Sequence, residues 1–400
     1  MPRRTGGFIG HRGLQAPDPP TAITPTAGDA QVSVAFTAPS DVGDDAITGF
    51  VAQVSTNGTD YSAGSNTGSS SPIVVSSLTN GTSYTAKVWA INDYGTSSPS
   101  DASSSFSPVA PPLGVFFNGN GNNVIDYVNI TTTGNASDWG DHDSTSQTHG
   151  SAGSSTRGVS ASYSGDYDYI TYASTGNAVN FGTITGAGGN YISGVSSSTR
   201  GVFYSANGTT SSNTMEYITI ASTGNGTDYG DMSDSNFQFM TNQVTSPTRG
   251  LFCGGTKSSN ADNDVIRYIT IANTGDTTNF GDLTQARFKA GGASSNTRGL
   301  IAGGAGNGAS SVFNIIDYVT IASTGNASDF GDLTVARYDL GGTSSGTRAV
   351  FDGGVNSSYA GVNTIDYVTI GSTGNATDFG DLTTTKTACA AIGSAHGGIS

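Results

Sequence analysis

Short runs of alternating apolar and polar residues dominate this chain. Every second residue is apolar at Val32, Val34 and Phe36, whereas the run at 365–370 carries apolar residues on both of its faces. A period of two is typical of β-strands, and apolar residues on both faces indicate a strand that is buried on both sides. No window has a sustained period of 3.6, so the sequence predicts very little helix.

One phrase recurs six times in the second part of the chain. Its clearest copies are IDYVTIASTGNASDFGDL, which starts at Ile316, and IDYVTIGSTGNATDFGDL, which starts at Ile365. The copies share a central tyrosine, at Tyr127, Tyr169, Tyr217, Tyr268, Tyr318 and Tyr367. These tyrosines are 42 to 51 residues apart. A period near fifty in a strand-rich sequence indicates a β-propeller, in which each repeat forms one blade.

The order of the strand-like segments predicts how the ring closes. The repeats begin at Gly114 with a segment of the second type and end near 387–392 with a segment of the first type. We therefore expect the last strand to complete the first blade, which leaves no open sheet edge between blades. The sequence predicts an all-β fold in which residues 114–400 form six four-stranded blades.

Charge is unevenly distributed along the chain. The net charge is −15, yet residues 1–15 contain three arginines and no acidic residue. An acidic surface repels nucleic acids and anionic membranes, so we expect neither as a partner. We interpret residues 1–15 as a basic arm that docks on a partner protein, and the alternative is a frayed terminus. The expected docking residues are Arg3, Arg4, Phe8, Ile9 and Arg12.

Catalytic and targeting signals are sparse. The four histidines lack metal-ligand spacing, and neither a nucleophile elbow nor a phosphate loop occurs, so we expect no enzyme, cofactor or metal. Cys253 and Cys389 are too few for a disulfide framework, and we expect two thiols. No segment reaches the roughly 20 apolar residues of a membrane span, and the N-terminus lacks the apolar region of a secretory signal.

Two polar features recur with the repeats. A Thr-Arg-Gly motif places an arginine before the second strand at Arg157, Arg200, Arg249, Arg298 and Arg348, with His396 in the sixth position. We expect these arginines to bind carbonyls or aspartates of a neighbouring blade, and the alternative is a cationic ring that binds an anionic sugar. The Asp-aromatic-Gly-Asp turns could bind calcium, but turn formation is the commoner role of such residues.

Residues 16–110 resemble a fibronectin type III domain. The resemblance rests on alternating strands and on Leu78, the segment 80–82 and Tyr84, which match the tyrosine corner of that family. Phe36 stands where the family usually has tryptophan. Prolines at 108, 111 and 112 indicate a short stiff linker, which we place at 111–113.

The repeats resemble kelch repeats. The parts that match are a basic residue before the first strand, Arg337, a glycine doublet after the second strand at 353–354, the aromatic Tyr367 on the third strand and Phe379 on the fourth. The usual fourth-strand tryptophan survives only at Trp139. The resemblance implies a six-bladed kelch-like propeller.

The combination of both modules resembles structural proteins of tailed bacteriophages. This resemblance implies a non-enzymatic virion surface protein, assembled in the host cytoplasm, whose arm binds other virion proteins and whose propeller binds a host-surface glycan. The alternatives are a purely structural decoration or joining protein and a bacterial surface adhesin. The sequence leaves open whether the protein is a homo-oligomer.

Overall fold

The computed structural model describes residues 14–117, 119, 121–143, 145, 148–185, 191–206, 213–233, 244–256, 261–388 and 390–399. Strands and turns make up this part of the chain, and no helix occurs in it, so the predicted all-β class is confirmed. The chain divides into two compact units, Met1–Pro111 and Pro112–Ser400.

Unit 1 is a β-sandwich of two antiparallel sheets. Its strands are β1 (Thr21–Gly28), β2 (Gln31–Thr37), β3 (Gly49–Ser55), β4 (Gly64–Gly68), β5 (Ile73–Ser76), β6 (Thr85–Asn92) and β7 (Gly95–Thr96). One sheet has the order β1-β2-β5 and the other β4-β3-β6-β7. The β-sandwich that the sequence predicted for this unit is confirmed.

The alternating residues of unit 1 form its core. Val32, Val34 and Ala86 are fully buried, and the ring centroids of Phe36 and Phe50 are 4.7 Å apart. The Tyr84 hydroxyl accepts a hydrogen bond from the Thr79 N–H at 3.1 Å, which is the tie expected of a tyrosine corner. The apolar face of each sheet is therefore covered by the other sheet.

Unit 2 contains the remaining strands. In chain order they are β8 (Leu113–Phe116), β9 (Val124–Asn129), β10 (Ser137–Asp141), β11 (Thr148–Gly153), β12 (Arg157–Ser162), β13 (Asp166–Thr171), β14 (Val179–Thr183), β15 (Tyr191–Ser196), β16 (Arg200–Ala206), β17 (Thr214–Thr219), β18 (Thr227–Asp231), β19 (Val244–Thr245), β20 (Arg249–Cys253), β21 (Val265–Thr270), β22 (Thr278–Asp282), β23 (Gly291–Ser294), β24 (Arg298–Ala302), β25 (Ala305–Gly306), β26 (Ser311–Val312), β27 (Ile315–Thr320), β28 (Ser328–Asp332), β29 (Arg337–Tyr338), β30 (Gly341–Ser344), β31 (Arg348–Asp352), β32 (Val355–Asn356), β33 (Val362–Thr369), β34 (Thr377–Lys386) and β35 (Ala391–Gly393).

Six four-stranded antiparallel sheets form the blades of unit 2. From first to fourth strand, blade 1 is β35-β8-β9-β10, blade 2 is β11-β12-β13-β14, blade 3 is β15-β16-β17-β18, blade 4 is β19-β20-β21-β22, blade 5 is β23-β24-β27-β28 and blade 6 is β30-β31-β33-β34. The C-terminal strand completes blade 1, with Ile392 opposite Val115. This strand is shorter than the predicted segment 387–392, because β34 continues to Lys386 and pairs there with Val362.

Equivalent hydrogen bonds join each blade to the next around a complete ring. The N–H of a turn glycine donates to the carbonyl of the fourth-strand aromatic residue of the preceding blade. The six pairs are Gly176–Trp139, Gly224–Phe181, Gly275–Tyr229, Gly325–Phe280, Gly374–Phe330 and Gly134–Phe379. The last pair joins blade 1 to blade 6, so the sheets are in cyclic order. Each of the six interfaces also contains its own buried apolar cluster.

The two faces of unit 2 differ in regularity. Connections between first and second strands contain three residues in blades 2–6, and those between third and fourth strands contain seven residues in all six blades. Because the strands are antiparallel, both kinds of connection lie at the same end of the sheets. We call this end the repeat face. At the other end, the variable face, the second-to-third connections range from three to twelve residues, and the connections between blades range from four to twelve.

Candidate functional site

Each recurring arginine joins its own blade to the next. The guanidinium carbons of Arg157, Arg200, Arg249, Arg298 and Arg348 lie 4.3–4.7 Å from the ring centroids of Tyr169, Tyr217, Tyr268, Tyr318 and Tyr367. Each Nη1 also donates to a backbone carbonyl of the following blade, as Arg298 does to Ile370 at 2.8 Å and Arg348 to Ile130 at 2.9 Å. These side chains are therefore held by their own blade and the next one.

The sixth arginine position is occupied by Leu113, so the placement of His396 there is wrong. Leu113 N–H donates to Ser394 Oγ just as Arg157 N–H donates to Ser154 Oγ, and Leu113 packs near Tyr127. The chain after β35 instead turns toward the first strands of blades 2, 3 and 4. His396 is buried there, with Nε2 3.0 Å from the Gly153 carbonyl.

Acidic residues on third strands form a second set of links between blades. Asp317 accepts from Thr284 and from Arg287, both on the connection that precedes blade 5, and Asp366 is bound in the same way by Thr334 and Arg337. Asp126 of blade 1 is bound by Thr383 and lies 3.2 Å from Lys386. The arginine, lysine and aspartate side chains of these pairs are fully buried.

Arg337 was expected only as part of the kelch resemblance, and the buried pairs of Arg287, Arg337 and Lys386 were not predicted. A signal was present, because each cation follows the hydrogen-bonding threonine by three residues in GDLTQAR, GDLTVAR and GDLTTTK. The partner carboxylate comes from a third strand about 30 residues later, or from the start of the ring for Lys386. Local spacing therefore identifies the cation but gives no indication of its partner.

The Asp-aromatic-Gly-Asp segments, which the sequence predicted as turns, lie instead on the fourth strands of the blades. Asp138 Oδ1 accepts the N–H of Gly140 within the same strand, at the point where the pairing register shifts. Asparagines in the neighbouring turns form hydrogen bonds between blades. Asn326 Oδ1 accepts a hydrogen bond from Asp282 N–H, and Asn375 Oδ1 accepts one from Asp332 N–H, each at 3.1 Å. The fourth-strand aspartates and the turn asparagines are therefore parts of the contacts within and between blades.

A group of aromatic and charged residues lies on the variable face at blades 5 and 6. Lys289 Nζ lies 2.5 Å from Asp339 Oδ2 and 5.6 Å from the Tyr338 ring centroid. Tyr359 is 67 % exposed, and its hydroxyl donates to the Ala309 carbonyl at 3.4 Å. We call Lys289, Tyr338, Asp339 and Tyr359 the variable-face cluster.

Three residues of the variable-face cluster have left-handed backbone, as do six other non-glycine residues in the described part of the chain. Lys289, Asp339 and Tyr359 have φ angles of 57°, 57° and 59°. Left-handed backbone is uncommon for residues other than glycine and is a clear outlier for a bulky side chain such as tyrosine. Equivalent positions of neighbouring blades share this conformation, since Ala388 matches Asp339 with φ of 56° and Ala309 matches Tyr359 with φ of 70°. Left-handed backbone is therefore a feature of the repeated connections.

Electrostatics in the cluster follow from burial. Burial raises the pKa of Asp339, and the Lys289 ammonium partly opposes this change. The pKa of Tyr338 is raised by burial and, to a smaller extent, by Asp339 and Tyr359. The Tyr338 hydroxyl therefore remains protonated and able to donate a hydrogen bond at neutral pH.

A second polar group occupies the interface between blades 1 and 2. His142 Nδ1 lies 3.1 Å from Asp143 Oδ1, and His142 Nε2 lies 3.3 Å from Asp168 Oδ2. Burial raises the pKa of Asp168 to about 7, with smaller contributions from Asp143 and Asp166. Burial also lowers the pKa of His142, and Asp143 opposes that change. We call His142, Asp143 and Asp168 the His142 cluster.

Some predicted residues lie outside the described part of the chain. They are the docking residues Arg3, Arg4, Phe8, Ile9 and Arg12, together with Cys389. Cys253 is a buried thiol in blade 4. In the described part of the chain, no helix is both long and apolar enough to span a membrane.

The chain shows little similarity to known proteins. No protein-family profile and no curated protein sequence matches this chain. Among solved structures, the chain is similar to the crystal structure of domains A168-A170 from titin, with 24% sequence identity over 24% of this chain and a TM-score of 0.23. The match spans 33% of that titin structure.

Proposed function

We propose that this chain is a non-enzymatic display protein of a bacteriophage virion, whose propeller binds a host-surface glycan through its variable face. The observation that carries the proposal is the contrast between the two faces of unit 2. Connections on the repeat face keep a constant length, whereas those on the variable face differ from blade to blade. Binding residues are commonly found on variable loops that a rigid scaffold positions.

The partners of the recurring polar residues favour a binding protein over an enzyme. Arg298 and Arg348 donate to carbonyls of the next blade, while Arg287 and Arg337 are paired with buried carboxylates. These cations hold the ring together. The alternative of a cationic ring for an anionic sugar loses its support, because the guanidinium groups already have partners within the protein.

The variable-face cluster has the chemistry of a carbohydrate site. Tyr359 presents an exposed aromatic ring on the same face of unit 2 as Tyr338 and the Lys289–Asp339 pair. Sugar rings present apolar C–H faces that pack on aromatic rings, and their hydroxyls accept from ammonium groups and donate to carboxylates. The hydrogen bond from the Tyr359 hydroxyl to the Ala309 carbonyl restrains that ring before a ligand arrives.

Binding to an array of bacterial surface polysaccharides tests this assignment. We expect Tyr359→Asn to weaken binding about tenfold or more, because the main stacking surface is lost. Asparagine is chosen because it tolerates left-handed backbone. Tyr94→Asn is the matched control, since Tyr94 is 45 % exposed and lies in unit 1. Equal binding by the wild type and the Tyr359 variant would contradict the site.

The place of the protein on a particle needs a separate experiment. In the proposal, the basic arm at 1–15 binds other virion proteins, as its charge contrast with the remaining chain suggests. A chain that lacks residues 1–15 is expected to fold and to be missing from purified particles. Antibody labelling of residues 114–400 at a fibre or tail supports receptor binding, label over the head or neck supports a decoration protein, and no label on particles supports an adhesin.

A further inference from the structure

The interface between blades 1 and 2 departs from the pattern of the other interfaces. At the position of His142 the other connections carry an apolar residue, such as the buried Leu283 or Leu333, and at the position of Asp143 they carry threonine or serine. The equivalent threonines Thr284 and Thr334 donate to the third-strand carboxylate of the next blade. Here a histidine and a second carboxylate replace an apolar residue and a hydrogen-bond donor.

Asp168 is the third-strand carboxylate that faces these two replacements. Its side chain is 1 % exposed, and neither carboxylate oxygen accepts a hydrogen bond from a residue that the structure describes. Asp317 and Asp366, in equivalent positions, each pair with a buried arginine. A buried carboxylate without hydrogen bonds is costly, and the nearby Asp143 carboxylate adds a second negative charge instead of a donor.

We propose that His142, Asp143 and Asp168 bind one divalent transition-metal ion, for which zinc is the appropriate probe. One ligand atom from each side chain lies within 4.8 Å of the other two. Metal bonds of about 2.0–2.2 Å require these atoms to approach further, and Asp143, whose side chain is 53 % exposed, has room to rotate. The ion would replace the arginine–aspartate link of other interfaces and join blade 1 to blade 2.

The donor set favours zinc over calcium. An imidazole nitrogen suits zinc and similar ions, whereas calcium takes six to eight oxygen ligands. No metal-ligand spacing is visible in the sequence, because Asp168 lies 26 residues after His142, on a strand of the next blade. This site is independent of the proposed glycan binding, so either can fail without the other.

Isothermal titration of the chelator-treated full-length chain with zinc chloride tests the proposal. We expect saturable binding of one zinc ion per chain and much weaker binding of calcium chloride. Asp168→Asn and His142→Ala should each weaken zinc binding by at least about tenfold, since even outer-shell changes at metal sites cost that much. Asp141→Asn removes one charge from the same segment outside the cluster and should bind zinc like the wild type.

Thermal unfolding of the same proteins separates metal binding from a purely structural role. Zinc should raise the Tm of the wild type and leave that of Asp168→Asn unchanged. Without metal, Asp168→Asn should unfold at or above the wild-type Tm, because it removes an unpaired buried carboxylate. The proposal is overturned if zinc does not bind the wild type or if Asp168→Asn binds zinc normally. It is also overturned if Asp168→Asn is less stable than the wild type and zinc leaves the wild-type Tm unchanged. The last result would make His142 the cationic partner of Asp168.

Discussion

At the scale of single residues, buried ion pairs distinguish some blade interfaces from others. Arg337 Nη1 lies 2.6 Å from Asp366 Oδ2, and Nη2 donates to the Phe351 carbonyl at 3.2 Å. Both charged side chains are fully buried. A pair of this kind contributes little net stability compared with apolar residues, but each partner depends strongly on the other.

Arg337→Met should therefore destabilise unit 2 by about 3–5 kcal/mol, because Asp366 would remain buried without its cation. Arg298→Met is the comparison, since Arg298 is only half-buried and bonds a carbonyl, and we expect it to cost about 1 kcal/mol. Chemical denaturation of both variants measures the difference. Adding Asp366→Asn to Arg337→Met should recover part of the loss. Similar costs for the two arginines would contradict this account.

His396 makes the stability of unit 2 depend on pH. Burial lowers its pKa from 6.5 to about 4, and the hydrogen bond to the Gly153 carbonyl opposes this effect only in part. Below pH 6.5 the unfolded chain binds a proton that the folded chain excludes, so the free energy of unfolding falls as the pH falls toward 4. Between pH 6.5 and pH 5 this loss amounts to roughly 2 kcal/mol.

Replacing His396 by glutamine should remove this contribution while other titrating groups remain. The wild type should lose roughly 2 kcal/mol more stability than His396→Gln when denaturation is measured at pH 5 instead of pH 8. Taking the difference between the two proteins cancels the opposite contribution of Asp168, whose pKa is raised. Parallel pH profiles would mean that the imidazole is protonated as easily in the folded chain as in the unfolded one.

At the scale of strands and turns, close contact between blades depends on glycine. Gly331 has φ of 148°, and a Cβ added there would lie 2.4 Å from the Gly374 carbonyl oxygen of blade 6. Gly374 itself has φ of 156°, and an added Cβ would meet nothing within 4 Å. The two glycines share a backbone conformation but differ in the space beside them.

Alanine at these two positions separates backbone strain from steric clash. Gly331→Ala should be less stable than Gly374→Ala by about 1–3 kcal/mol, because only the first forces two blades apart. The melting temperatures of both variants, measured beside the wild type, provide the test. Equal losses would show that backbone strain alone sets the requirement for glycine.

Most of the strands and their assignment to blades could be predicted from the sequence. Tyr318 and Phe330 recur at a fixed distance because every blade packs the same pair of rings edge to face, so the period predicted the blades and their number. The place of Leu113 and the contact of His142 with Asp168 could not be predicted. Leu113 takes the arginine position only because β8 pairs with a strand from the other end of the ring, and Asp168 reaches His142 only across a blade interface.

At the scale of the whole unit, the ring is closed by strands from both of its ends. β35 pairs with β8, and the buried Lys386 donates to the Phe116 and Val124 carbonyls of blade 1. Phe116 and Phe379 share an apolar cluster between blades 1 and 6. Backbone pairing, a buried cation and apolar packing therefore all act at one interface, and blade 1 is complete only when β35 is in place.

Removal of residues 391–400 tests how far the ring depends on this strand. In the truncated chain, the edge of β8 should be unpaired, and Val115 and Phe116 should be exposed. We therefore expect the free energy of unfolding of unit 2 to fall by several kcal/mol and its Tm to fall by several degrees. Protease should cut blade 1 first. A synthetic peptide of residues 387–400 added in excess should restore part of the lost Tm, whereas a peptide with the same residues in scrambled order should not. Deletion of residues 1–13 is the control for shortening the chain and should leave unit 2 unchanged. If the truncated protein melts like the wild type, the other five interfaces suffice to hold the ring, and the C-terminal strand is not the element that closes it.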